Sequence, residues 1–147
     1  MILVIDTNIV LSGLLKNSKT RELLIAAPFK FIAPDTILSE IRKYKDLISK
    51  RAGLSEEEYE TLFSLIIENI DTFSKEFYED KLKEAEELIN LKEETGDFPF
   101  LALALSVANN GIWTADKHFE RQKKVKIWKT DELVNKLKKL FDNFGES

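Results

Sequence analysis

Four consecutive aliphatic residues, Ile2-Leu3-Val4-Ile5, run directly into Asp6-Thr7-Asn8. A strand wetted on one face alternates apolar and polar residues. A strand without alternation needs cover on both faces, which helices supply when they cross over between parallel strands. The rest of the chain agrees with that demand. Segments 29–33, 69–74, 112–115 and 125–128 read as further strands. Helical patterns lie at 21–27, from Pro34 or Asp35 to about 49, from Ser55 onward, within 76–92, at 98–110 and at 130–144. Strands alternating with helices imply right-handed crossovers, and hence an α/β fold with a parallel sheet between helices.

Local signals sharpen two of these elements. Ser55 followed by Glu56-Glu57-Glu58 has the form of a helix start, with Tyr59, Leu62, Phe63, Ile66 and Ile67 at helical spacing behind it. Segment 98–110 is apolar nearly all round, which predicts a central, buried helix, with Pro99 tolerable in its first turn and Asn109-Asn110-Gly111 as its stop. A chain of 147 residues, 44% of them hydrophobic, suits one domain over 1–147 with the last few residues frayed. The opening apolar run is too short for a signal peptide or membrane span, and Ser106 interrupts the longer one, so a soluble, cytoplasmic protein is expected.

Charge and missing residue types narrow the chemistry. The absence of cysteine excludes disulfides, thiolate catalysis and thiolate zinc sites, and a single histidine, His118, rules out a His-rich zinc site. Oxygen ligands remain, and they favour hard cations such as magnesium or manganese. A net charge of −4 argues against coating nucleic acid through global charge. The distribution is uneven, however: segment 55–96 holds 14 acids and 4 bases, whereas 117–139 holds 9 bases and 3 acids, so one face can be basic.

Four acids stand in apolar surroundings: Asp6 after the first strand, Glu40 among Ile37, Ile41, Tyr44 and Ile48, Asp97 before the apolar helix, and Asp116 after the fourth strand. Each also has an ordinary structural use. Asp6, Asp97 and Asp116 suit turns and helix caps, and Glu40 suits an ion pair with Arg42 or Lys43. Taken together they point to a pocket, because ligands collect at the carboxyl ends of parallel strands. Two carboxylates roughly 4 Å apart repel by about 4 kcal/mol at an effective dielectric near 20, so converging acids bind protons or recruit divalent metal.

Asp6-Thr7-Asn8 after an apolar strand, a mid-helix Glu40, Asp97-Phe98-Pro99-Phe100-Leu101-Ala102-Leu103-Ala104, and Trp113-Thr114-Ala115-Asp116, in that order, resemble the PIN-domain nuclease family across nearly the whole chain. The resemblance implies a three-layer α/β/α fold with a central, mainly parallel five-stranded sheet. It implies one or two Mg2+ or Mn2+ ions held by Asp6, Glu40, Asp97 and Asp116, with Asn8 and Thr114 in support. The activity expected is endonucleolytic hydrolysis of single-stranded or looped RNA, leaving 5′-phosphate and 3′-hydroxyl ends, with Lys117, Arg121, Lys123 and Lys124 as substrate contacts.

Some family members carry another acid near the position of His118, which reads here as a surface or turn residue. Trp113 and Trp128 read as core or helix-facing side chains rather than base-stacking platforms. Small single-domain relatives include VapC-like toxins of VapBC-type toxin–antitoxin pairs, held by an antitoxin protein. Housekeeping RNA-processing nucleases and PIN-like binding modules without turnover are the alternatives. A homodimer is also expected from the resemblance, with apolar Phe141 and Phe144 available to it or to a local core. A phosphotransfer reading with Asp6 as nucleophile is weaker, because Asn8 replaces the second Asp of an Asp-x-Asp pair.

Overall fold

The unbroken apolar run becomes the middle of the sheet. A computed structural model describes residues 1–89 and 98–145, and side chains through residue 143. Its five strands are β1 (Ile2–Ile5), β2 (Lys30–Pro34), β3 (Ile70–Phe73), β4 (Ile112–Trp113) and β5 (Ile127–Trp128), in the order β3-β2-β1-β4-β5, with every pairing parallel. Leu3, Val4 and Ile5 have no exposed surface, which is why no alternation marks them. The sheet is therefore wholly parallel rather than mainly so.

Helices α1 (Thr7–Leu15), α2 (Lys19–Ala26), α3 (Thr36–Arg42), α4 (Lys45–Ala52), α5 (Glu56–Ile67), α6 (Leu82–Ile89), α7 (Phe98–Ser106) and α8 (Thr130–Gly145) flank the sheet. Helix α1 packs against α2, α3, α4 and α5, while α6 packs on α7, which covers β1 and β2. Trp113 and Phe31 meet in the core with ring centroids 5.7 Å apart. Helix α7 buries Phe100, Leu101, Ala102, Leu103 and Ala104 together, as its all-round apolar sequence predicts. No helix among the described residues is long and apolar enough to cross a membrane.

Four local expectations are corrected. Helix α1 is not among the elements expected from the sequence; within it, Gly13 admits Leu24, whose Cδ1 lies 2.6 Å from where a Cβ would stand. The helix expected from Pro34 or Asp35 to about 49 is two helices. Tyr44 N–H donates to the Ile41 carbonyl at 3.0 Å, a tightened turn that takes Tyr44 out of the apolar stripe and starts α4. The segment before α6 forms two 3-10 turns, Lys75–Phe77 and Glu79–Lys81. Helix α7 also stops at Ser106, because Asn109 folds back to donate to the Ala104 and Val107 carbonyls at 2.8 Å each.

The start of α5 is a complete capping box. Ser55 Oγ accepts from Glu58 N–H at 3.1 Å, and the Glu58 carboxylate accepts from Ser55 N–H at 3.0 Å, holding the Glu58 carboxyl below its ordinary range. Ser55→Ala is expected to cost about 1 kcal/mol, or about 3 °C in melting temperature, by loss of the cap. Since the Glu58 pKa is depressed by folding, its share of stability is present above the ordinary carboxylate range and lost as pH falls through the depressed value. Because Ser55→Ala keeps the backbone N–H that chiefly depresses the Glu58 pKa, the variant should melt below the parent both at neutral pH and in acid, while both proteins lose the Glu58 share in acid; equal melting of the two at neutral pH would contradict this account.

Candidate active site

The strand order supplies the location. From β1 the sheet grows one way to β2 and β3 and the other way to β4 and β5, so the carboxyl ends of β1 and β4 flank the point where the topology reverses. Loops diverge there and leave a crevice.

Asp6 leaves β1 into this crevice and is only 3% exposed. It is the N-cap of α1: its Oδ1 accepts from Ile9 N–H at 3.0 Å, and its Oδ2 accepts from the Thr114 hydroxyl. Thr114, 2% exposed just beyond β4, also accepts from Asp116 N–H at 2.9 Å. One hydroxyl thus joins the loop ends that carry Asp6 and Asp116. Capping and site geometry coincide at Asp6, because the φ/ψ that ends the strand also aims the carboxylate at the helix amides.

Glu40 approaches from α3. It is half-buried rather than enclosed in the apolar stripe, and its Oε2 accepts from the Thr7 hydroxyl. Among the described residues, neither Arg42 nor Lys43 forms the ion pair that the sequence leaves open. Asp6 and Glu40 share a cleft of about 290 Å3, with Thr7, Asn8, Leu11, Lys43, Tyr44 and Phe100 in its walls. Thr7, Lys43, Tyr44 and Phe100 are not among the site residues expected from the sequence, where Lys43 reads only as an ion-pair partner of Glu40 and Tyr44 only as part of the apolar stripe. Thr7 stands inside the Asp-Thr-Asn motif and offered a signal; Lys43 and Tyr44 enter only because the chain breaks between α3 and α4.

Asp116 stands next to Asp6, linked to it through the Thr114 hydroxyl. It lines a separate cavity of about 280 Å3 with Thr114, Lys117, Glu120, Lys129 and Thr130. Its Oδ1 accepts from His118 N–H at 2.9 Å and lies 3.1 Å from His118 Nδ1, so the turn histidine touches a candidate ligand. Asp97 lies outside the described residues. Among the described residues, no group of three or more acids or histidines has the geometry to hold a metal. Of the basic candidates, Lys117 lines the second cavity and Lys123 is exposed, whereas Lys124 is paired with Glu84 at 2.7 Å and Arg121 donates to the Ile89 carbonyl at 3.4 Å.

The donor set decides what could bind. The carboxylates of Asp6 and Glu40 accept from an amide and from hydroxyls, neutral groups that orient a carboxylate without cancelling its charge. Two oriented carboxylates on one cleft, with only oxygen and amide groups nearby besides the Lys43 ammonium, fit a hard divalent cation and not zinc. The sequence matches the family model for the PIN domain over residues 4–138. No curated protein matches it.

Proposed function

The chain belongs to the PIN-domain family, whose members are generally metal-dependent nucleases, and on that premise we propose that it is a divalent-metal-dependent endoribonuclease hydrolysing RNA phosphodiester bonds. The observation that carries the reading is the placement of Asp6 and Glu40 on one cleft at the topological switch point, with Asp116 tied to Asp6 through Thr114.

In this reading Asp6, Glu40, Asp97 and Asp116 would hold Mg2+ or Mn2+, and the ion, when bound, would activate water and offset charge on the leaving oxygen. The chain's own part is positioning. The Ile9 amide and the Thr114 hydroxyl fix both oxygens of Asp6, and Thr7 fixes Glu40, so little reorganisation is left for the moment of reaction. Asn8 presents an amide at the cleft and Lys43 an ammonium, groups suited to the non-bridging oxygens of a phosphodiester. The toxin role of a VapBC-type pair, a partner antitoxin and a homodimer using Phe141, which is 66% exposed, belong to the same proposal; the Phe144 side chain lies outside those described. A neighbouring reading frame for a small DNA-binding antitoxin would support the toxin role.

Purified protein is expected to cut single-stranded or hairpin RNA internally with Mg2+ or Mn2+ present, and to stop when a chelator is added. Asp97→Asn should lose the cut while keeping its circular dichroism spectrum. Equal cutting by that variant would mean a contaminating nuclease, and metal-independent RNA binding without cutting would favour a PIN-like binding module.

A further inference from the structure

Away from the acidic cleft, positive charge gathers at the outer edge of the sheet. Trp128 ends β5, the outermost strand; its indole N–H donates to the Asn110 carbonyl at 2.8 Å, and the ring is half-buried against Gly111. The Lys126 ammonium stands 3.8 Å from the ring centroid, and that of Lys136, from α8, stands 5.5 Å from it. Sharing one ring keeps the two ammonium groups within about 10 Å, close to one Debye length at moderate salt. Among the described residues neither has a carboxylate partner, whereas the nearby Lys124 and Lys129 pair with Glu84 and Glu120. Two like charges so placed repel each other, and a bridging anion relieves the repulsion.

We propose that Lys126, Trp128 and Lys136 form an anchoring site for single-stranded nucleic acid outside the acidic cleft. Lysines beside an aromatic face suit such a strand twice over, with phosphates on the ammonium groups and a base or ribose against the indole. An acidic peptide would use the lysines alone. The indole lies beside Gly111, at the amino end of β4, and Thr114 is three residues further on, roughly 10 Å of strand. The partner class rests on the nuclease reading, and the test is chosen to separate the two.

Binding of a labelled oligoribonucleotide is measured by anisotropy across a salt series, with chelator present so that nothing is cut. The Lys126→Gln/Lys136→Gln variant should bind about tenfold more weakly at low salt, with the slope of log affinity against log salt smaller by about 1.4. Lys126→Arg/Lys136→Arg should restore both, and Lys16→Gln/Lys50→Gln, which removes the same net charge from exposed sites, should change neither. Trp128 emission should shift on binding over a steady background from the fully buried Trp113. The anchor is overturned by unchanged affinity and slope in the glutamine pair, by an equal loss in the Lys16/Lys50 pair, or by a polyglutamate peptide that displaces RNA as well as RNA itself does. A protein that binds through this site yet never cuts would sink the nuclease reading and leave the anchor standing.

Discussion

Asp6→Asn is expected to lower metal-dependent RNA cleavage by about a thousandfold while leaving the fold in place. The expectation rests on what asparagine keeps. Its carbonyl oxygen still accepts from Ile9 N–H, so α1 remains capped, and its amide can donate to the Thr114 hydroxyl in place of accepting from it. What it loses is the negative charge, the property for which a divalent cation would be held there. Removing one preorganised electrostatic group from an active site typically costs a hundred- to a thousandfold in rate, and a ligand carboxylate should lie at the upper end. Single-turnover cleavage at saturating Mg2+ reads the loss, and a urea melt within about 1 kcal/mol of the parent shows that folding is not the cause. Near-parental cleavage with an intact melt would remove Asp6 from the chemistry and reduce it to a helix cap.

The second large effect is structural. Gly111 has φ +132°, a conformation that side chains rarely adopt, and a Cβ there would stand 2.4 Å from the Lys126 carbonyl oxygen and 2.8 Å from Trp128 Cδ1. The backbone oxygen cannot swing away, because it accepts from Ile112 N–H at 2.8 Å and so pairs β4 with β5. Gly111→Ala therefore meets both a strained backbone and a collision with the ladder, at a cost of about 3 kcal/mol or more. That corresponds to a fall of roughly 10 °C in melting temperature for a chain of this size. Opening the β4–β5 edge would also loosen Thr114, whose N–H donates to the Trp128 carbonyl at 3.2 Å, and with it the hydroxyl that holds Asp6. Cleavage should fall alongside stability. A melt within about 1 kcal/mol of the parent would show that these strands are not packed as described.

What could be read in advance follows from the range of each interaction. The buried centre of the sheet, the capping box at Ser55 and the all-round apolar α7 were legible because each depends on residues a few positions apart. Helix α1 was not legible, since the reason for Gly13 lies in Leu24 on another helix. Nor was the break at Tyr44, which a continuous apolar stripe concealed. At the site, the residue types were visible and their contacts were not: Thr7 reaches Glu40 across 33 positions and Thr114 reaches Asp6 across 108. The sequence alone set the class of the fold, the oxygen-only ligand chemistry and the four acids, because alternation, composition and motif order are properties of the chain itself. Tertiary structure decided that Asp6 and Glu40 share a cleft while Asp116 lines its own, and that Lys126 and Lys136 meet at one indole. Those pairings arise only when crossovers bring distant strand ends to the point where the sheet reverses direction, or to its outer edge, and no local pattern encodes that meeting.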